Sequence, residues 1–130
     1  MSARPITLSE IRRDARGTAA VEFGLTGPIF IMLVVGIIEG GLLLWAQVGL
    51  QHGVEMAARY ATTDPPPSTS AIKTYAAQQS FGLNPPASNF TVSTPACGNQ
   101  VSASYSFPFT AYFPTPLTLS AQSCFPIYPP

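Results

Sequence analysis

The stretch FGLTGPIFIMLVVGIIEGGLLLWAQVGL, residues 23–50, decides how this chain folds because it is one long apolar segment. Glu39 is its only charged residue, and Gln47 is its only other strongly polar side chain. A helix of about 20 apolar residues crosses the roughly 30 Å hydrocarbon core of a bilayer, so the segment is long enough to span a membrane. The rest of the chain is too small to enclose a helix that is apolar on every side. We therefore predict a membrane-spanning helix and not the buried helix of a soluble protein.

Charges are few around this segment and are unevenly placed. The 130-residue chain has six Lys+Arg and six Asp+Glu, and 9% of its residues are charged, against about 25% in a typical soluble domain. This balance excludes a nucleic-acid binder that works through a basic patch. The 46% of hydrophobic residues argues against a polar disordered chain. No Asp, Glu, Lys or Arg follows Lys73, so we expect the carboxy-terminal part to fold onto something or to be covered by partners.

Arginines before the apolar segment predict its orientation. Residues 1–16 contain four arginines and two acids, whereas residues 51–64 contain one arginine and two acids. The positive-inside rule then places the amino terminus in the cytoplasm and the carboxy-terminal part outside. A cleaved signal peptide is the main alternative, but its apolar core is only about 7–15 residues long. The segment here is about twice that length, so we expect it to stay in the protein.

The sequence directly before the segment, RGTAAVEF at residues 16–23, resembles the processing site of type IV prepilins. In such sites a basic leader and a small glycine precede a glutamate. The longer string RGTAAVEFGLTGPIFIMLVVGIIEGG is similar to the TadE-like pseudopilins of tight-adherence (Tad) pili. That family has an R-G-x-A-A-V-E-F block, a later proline and a G-x-x-E-x-G element, which correspond here to residues 16–23, Pro28 and residues 36–40. The run VSASYSFPFTAYFPTPLTLSAQ also resembles the family's closing strands.

This resemblance implies cleavage by a prepilin peptidase after Gly17, which leaves Thr18 as the new amino terminus. Glu22 then lies four residues beyond the terminus, on the same helical face as its ammonium group. A helix amino terminus itself favours a nearby negative charge. In pilins this glutamate is thought to meet the terminal amine of an adjacent subunit, and Glu22 with Phe23 are the matching residues here. The alternative is that Glu22 is an interfacial carboxylate without this role.

Glycines recur in the helix at a spacing typical of helix–helix contact. Gly36 and Gly40 form one small-xxx-small pair and Gly49 and Gly53 form another, although glycine is enriched in membrane helices in general. A carboxylate such as Glu39 costs about 2.5–3.5 kcal/mol or more at bilayer depth, so it usually pairs, protonates or has a function. Together these residues favour a helix that packs against other helices.

The remaining residues predict a small α+β unit. Helical spacing continues from Leu50 to Thr63, and the run Asp64-Pro65-Pro66-Pro67 should end the helix. Residues 68–83 are predicted to form a short second helix. Alternating apolar and small polar residues near 90–92, 101–107 and 117–121 predict antiparallel strands. The predicted class is α+β, with a long transmembrane helix as a pilin-like spine and a sheet of about three strands. The predicted domains are a basic leader (1–17), the helix (18–63) and a periplasmic head (64–130).

Cys97 and Cys124 both lie in the part that we predict to be periplasmic, where disulfides persist. A head of this size is marginally stable alone, so we favour a bridge from the loop before the second strand to the tail. Two free thiols are the alternative. The two cysteines and His52 make no metal-ligand set. General acid–base catalysis lacks candidates after Lys73, so we expect neither enzyme activity nor a cofactor.

By resemblance, the chain is a minor pilin-like subunit that takes part in initiation or capping of pilus assembly and so in surface adherence. Its partners would be the prepilin peptidase, other Tad pilins and pseudopilins, the inner-membrane assembly platform and the lipid bilayer of a bacterial inner membrane. Two alternatives stay open. One is an uncleaved single-pass anchor with a periplasmic interaction module. The other is an adhesin whose aromatic residues contact a surface, namely Tyr105, Phe107, Phe109, Tyr112 and Phe113.

Overall fold

The computed structural model describes residues 15–109 and 115–127, and these contain helices and an antiparallel sheet. Helix α1 is Ala15–Tyr60, and helix α2 is Thr69–Gln79. A short 3₁₀ helix, Ala87–Asn89, leads into the first of three strands. These are β1 (Phe90–Ser93), β2 (Asn99–Phe107) and β3 (Leu117–Phe125). The predicted α+β class, with a long apolar helix, a short second helix and three antiparallel strands, is confirmed.

The chain divides into two compact units, and the boundary lies between Ile38 and Glu39. In the first unit, residues 15–38 belong to α1. None of the side chains of residues 17–38 is buried, and large apolar ones such as Phe23 (77% exposed) lie open to the surroundings. A helix that exposes apolar side chains all around its axis is suited to a lipid or protein surrounding and not to water.

The core of the second unit forms where one face of α1 packs with the sheet and α2. Its largest fully buried side chains are Leu50 and Val54 from α1, and Phe90 and Val101 from the sheet. Alanines fill much of the remaining helical face. The other members of this core are Ala46, Ala57, Ala58, Ala61, Ile72, Ala76, Ala103, Leu119 and Ala121.

The sheet has the order β1-β2-β3, and both pairings are antiparallel. Phe90 lies opposite Ala103, which in turn lies opposite Ala121. Val101 and Ala103 are buried, whereas Ser104, the next residue of β2, is exposed. The predicted alternation of apolar and polar residues along the strand is therefore confirmed. Strand β3 continues to Phe125, four residues beyond the alternating stretch found in the sequence.

Both helices differ from their predicted bounds by a few residues. Helix α1 ends at Tyr60, before the predicted Thr63. The hydroxyls of Thr62 and Thr63 donate to the carbonyls of Arg59 (2.7 Å) and Tyr60 (2.9 Å), so these residues form a closing turn. The leader, helix and head boundaries inferred from the resemblance remain predictions.

Helix α2 is shorter than the predicted 68–83 because its ends are closed locally. The Ser68 hydroxyl accepts a hydrogen bond from the backbone N–H of Ala71 (3.2 Å), which is the geometry of an N-cap. After Gln79 the backbone leaves the helix, and Gly82 (φ 79°) and Asn84 (φ 46°) adopt left-handed conformations. Such conformations end a helix and suit glycine and asparagine best.

The second glycine pair, Gly49 and Gly53, packs against another segment of the same chain. A Cβ added at Gly53 would collide with the Ser80 hydroxyl and lie 2.8 Å from the Ala76 carbonyl oxygen. A Cβ at Gly49 would collide with the Phe81 carbonyl. These glycines therefore let the end of α2 press against α1, so the helix that approaches them belongs to the same chain.

We expect Gly53→Ala to destabilise the second unit by about 1–3 kcal/mol, because the new methyl group overpacks a contact with backbone atoms. Gly41→Ala is the matched control, since no heavy atom lies within 4 Å of its Cβ position. It should be neutral or stabilising by roughly 0.5–1 kcal/mol through helix propensity. Denaturant titration in detergent, followed by the fluorescence of the single tryptophan, Trp45, measures both. Equal midpoints for the two variants would contradict the assignment of this contact.

Candidate functional site

The junction residues occupy the first two turns of α1. Gly17, Thr18, Glu22 and Phe23 are all exposed. The peptide bond between Gly17 and Thr18 lies within α1, and no heavy atom lies within 4 Å of the Cβ position of Gly17. The bond is therefore not covered by other parts of the described chain.

Glu22 presents its carboxylate on an otherwise apolar stretch of helix. Its backbone carbonyl accepts a hydrogen bond from the Thr26 hydroxyl (2.8 Å), while its side chain is exposed. Thr18 is four residues earlier, on the same face of α1. An exposed carboxylate at this position is accessible to a positive group on another molecule.

Helix α1 is long and apolar enough to cross a membrane over residues 17–60. Only 11% of its most apolar 18-residue window is buried, which distinguishes it from the core helix of a soluble protein. Among residues 15–109 and 115–127 it is the one helix that meets this test. One such helix in the described chain suggests a single-pass membrane protein.

The first glycine pair and Glu39 differ in their surroundings. Gly36 and Gly40 each have open space where a Cβ would be, with no heavy atom within 4 Å. Glu39 is buried, with 7% of its surface exposed. The packing role predicted for these three residues needs the helix of another chain, so it stays a prediction.

Two glutamines on α1 hold an edge of the sheet, a role that the sequence analysis missed. Gln47 donates its side-chain amide to the carbonyl of Ser120 (2.9 Å), and Gln51 donates to the carbonyl of Gln122 (3.4 Å). Residues i and i+4 are about 6 Å apart along a helix axis, and residues i and i+2 are about 6.6 Å apart along a strand. The two glutamines therefore have nearly the same spacing as the two carbonyls that accept their hydrogen bonds. The signal was present in the sequence as a polar residue inside an apolar segment, followed by a second glutamine one helical turn later.

The end of α1 is tied to the sheet in the same manner. Asn99 donates its side-chain amide to the carbonyl of Ala61 (2.8 Å), one of the carbonyls left open where the helix ends. The guanidinium of Arg59 lies 4.9 Å from the centre of the Phe125 ring, within the range of a cation–π interaction. The glutamine bonds and the Arg59 contact hold β3 along α1 from Gln47 to Arg59, and the Asn99 bond ties the start of β2 to Ala61.

Cys97 and Cys124 form a disulfide, with Cα atoms 6.3 Å apart, so the favoured bridge is confirmed. Cys97 lies in the loop between β1 and β2, as predicted. Cys124 lies inside β3, opposite Gln100, and not in a tail after the strand. Gly98 (φ 124°) follows the first cysteine, and a Cβ there would collide with the Phe125 carbonyl. The bridge therefore joins the β1–β2 loop to the edge strand.

The aromatic residues considered for adhesion are partly used by the fold. Tyr105 and Phe107 are half-buried and pack against the core. The rings of Phe107 and Phe109 meet edge to face with centroids 5.3 Å apart. Tyr112 and Phe113 lie outside the described residues. Within the described chain, no group of three His, Cys, Asp or Glu residues is arranged to hold a metal ion.

A comparison with protein families places the first part of the chain. Residues 17–59, about a third of the chain, match the family model described as TadE-like protein. No curated protein and no solved structure matches the chain. The matched segment begins at Gly17 and covers nearly all of α1, so it contains both the junction and the candidate membrane span. Over this segment the chain is similar to the TadE-like proteins.

We expect removal of the disulfide to weaken the second unit. The cysteines are separated by 27 residues, for which loop-closure entropy gives about 3.5 kcal/mol. The double variant Cys97→Ser/Cys124→Ser should lose stability of this order in a denaturant titration in detergent. Wild-type protein with reductant should behave as the variant does, while the variant itself should not respond to reductant. A wild-type midpoint that reductant leaves unchanged, with the thiols shown to be free, would contradict this expectation.

Proposed function

We propose that this chain is a minor pilin-like subunit of a Tad-type pilus, cleaved by a prepilin peptidase after Gly17. In this role it takes part in initiation or capping of pilus assembly and so in surface adherence. The observation that carries the proposal is the position of the junction, in the amino-terminal part of an apolar helix whose side chains are exposed over residues 17–34. The TadE-like match over residues 17–59 supports it.

Cleavage after Gly17 fits the local structure. A peptidase needs the backbone of its substrate in an extended form, so the bond must leave the helix before it is cut. Glycine lowers the cost of that step, since it is less stable in a helix than alanine by roughly 0.5–1 kcal/mol. Gly17 also has open space around its Cβ position. The arginines of residues 4–16 would keep the leader on the cytoplasmic side, within reach of a membrane-bound enzyme.

Assembly would then depend on the new amino terminus. The Thr18 ammonium group and the Glu22 carboxylate lie on one face of the helix, and exposed apolar side chains such as Phe23 and Leu25 surround them. Opposite charges attract more strongly in apolar surroundings than in water. A carboxylate left unpaired there would be costly, so a neighbouring subunit that brings its amine to Glu22 is favoured over one that is out of register.

The proposed location is a bacterial inner membrane, with the amino terminus in the cytoplasm and the sheet in the periplasm. The bond between Cys97 and Cys124 supports this orientation, because disulfides persist in oxidising compartments and are rare in the cytosol. The proposed partners are the peptidase, other Tad pilins and pseudopilins, and the assembly platform in the membrane.

Co-expression with a prepilin peptidase tests the cleavage. We expect intact mass and amino-terminal sequencing to show a mature chain that begins at Thr18. Gly17→Ile should block cleavage, because a bulky side chain is placed next to the bond that is cut. Gly24→Ile is the matched control, since Gly24 is an exposed helical glycine with no heavy atom within 4 Å of its Cβ position. A leader that stays intact in the wild type would instead support an uncleaved membrane anchor.

The role of Glu22 is tested in cells that assemble the pilus. Glu22→Gln keeps the size of the side chain and removes its charge, so cleavage should continue while incorporation into sheared pili falls about tenfold, the equivalent of roughly 1.4 kcal/mol. Glu55→Gln is the control, because Glu55 is on the same helix and pairs with Arg59 in its own chain (2.8 Å). Immunoblots of pilus and membrane fractions measure both. Equal incorporation of the two variants would remove Glu22 from the assembly mechanism.

A further inference from the structure

The second unit exposes a compact apolar surface on the side of α1 that faces away from its core. We call it the aromatic rim, and it consists of Leu44 (68% exposed), Trp45 (58%), Val48 (59%) and Phe81 (40%). Three of these residues are on α1, whereas Phe81 follows the end of α2. The rings of Trp45 and Phe81 meet nearly at right angles (71°), with centroids 5.4 Å apart. Such edge-to-face pairs are favourable beyond the area that they bury.

The rim is held in place by the backbone of the α2 end. Gly82 has φ 79°, a conformation that side chains other than glycine rarely adopt. A Cβ at Gly82 would collide with the indole nitrogen of Trp45 and lie 2.8 Å from its Cδ1 atom. The chain thus turns directly over the indole, and Gly49, one helical turn after Trp45, lets the backbone of Phe81 approach α1 closely. The exposed rings therefore have a defined arrangement.

The exposed face of α1 changes from apolar to polar within one helical turn after Val48. The exposed residues that follow are Gln51, His52 and Arg59, and Arg59 pairs with Glu55. The His52 ring lies 5.5 Å from the Phe81 ring, on the polar side of the rim. Tryptophan at the end of an apolar helix, followed at once by polar residues, is typical of the level where a bilayer meets water.

The length of the apolar segment places the rim at the same level. Residues 23–42 rise about 30 Å as a helix, which equals the hydrocarbon core of a bilayer. The whole segment, residues 23–50, rises about 42 Å, close to the 40–45 Å of a bilayer with its headgroup layers. If the core of the bilayer surrounds residues 23–42, Trp45 lies in the headgroup layer.

The start of β3 adds a second apolar contact at this end of the unit. Gln47 bonds to Ser120 and Gln51 bonds to Gln122, so β3 runs along α1 with its first residue towards Leu42. That first residue, Leu117, is 46% exposed. No charged residue is present from Thr74 onward, so contact of this end with lipid would not strip water from a charge.

We propose that the aromatic rim is a lipid-docking surface, which sits in the headgroup layer of the outer leaflet and holds the second unit against the membrane. Lipid is the favoured occupant because the rim carries no charge and is continuous with the helix that is the candidate membrane span. Contact with lipid accounts for the lack of charged residues in the carboxy-terminal part. The surface of a soluble protein normally carries many charged residues, so solubility in water does not account for it. The inference concerns the chain before pilus assembly and does not require cleavage at Gly17.

The single tryptophan is a direct probe of this surface. Full-length protein is reconstituted in phosphatidylcholine vesicles that contain lipids brominated either near the headgroup or near the chain end. We expect Trp45 fluorescence to be quenched most by bromine near the headgroup and to be shielded from acrylamide in the water. This pattern should not change when the protein-to-lipid ratio is lowered.

A reporter further along α1 provides the control. The double variant Trp45→Phe/Glu55→Trp moves the only tryptophan ten residues along the helix, about 15 Å towards the water. This reporter should be several-fold more accessible to acrylamide than Trp45 and insensitive to brominated lipid. Equal acrylamide quenching at the two positions would overturn the proposal. Shielding of Trp45 that disappears at a low protein-to-lipid ratio would also overturn it, in favour of contact between copies of the chain. Neither result bears on peptidase cleavage, which is measured separately.

Discussion

The packing of α1 on the sheet is the interaction on which the rest of this structure depends. Leu50, Val54 and the alanines of one face of α1 fill the core of the second unit, so this part of the helix is its central element. Without this face the three strands would bury little apolar surface, and small sheets are marginal on their own. The disulfide and the amide bonds from Gln47 and Asn99 reinforce a contact that the apolar side chains create.

Most of the fold could be predicted from the sequence, because its periodicities are clear. The alternation around Val101 and Leu119 marks the strands, and the prolines after Asp64 mark the region where α1 ends. Periodicity did not show where the membrane-like part of α1 stops. Residues 43–50 are apolar apart from Gln47, but Ala46 and Leu50 face a protein core while Trp45 and Val48 remain exposed. A pattern that is apolar all around a helix cannot tell these two surroundings apart.

The sequence pattern likewise could not show what surrounds the glycines or what Glu22 contacts in the candidate site. Gly36 and Gly49 belong to identical motifs, yet one has open space beside it and the other is covered by the end of α2. The difference depends on where the residues that follow α2 lie in the fold, and these residues are distant in sequence from both glycines. The junction of Gly17 and Glu22 could be found because its chemistry is local and its spacing is short. What Glu22 pairs with depends on a second molecule, so neither the sequence nor a single folded chain displays the pair.

The glutamine bonds to β3 have a consequence for how copies of this chain can polymerise. An edge strand with free carbonyls is a template on which another strand can add, and fibres can grow by such β-augmentation. Here the carbonyls of Ser120 and Gln122 already accept hydrogen bonds from α1. A strand from a neighbour could join at β3 only by displacing the protein's own helix from its own sheet. Growth of a filament through strand addition is therefore disfavoured at this edge of the sheet.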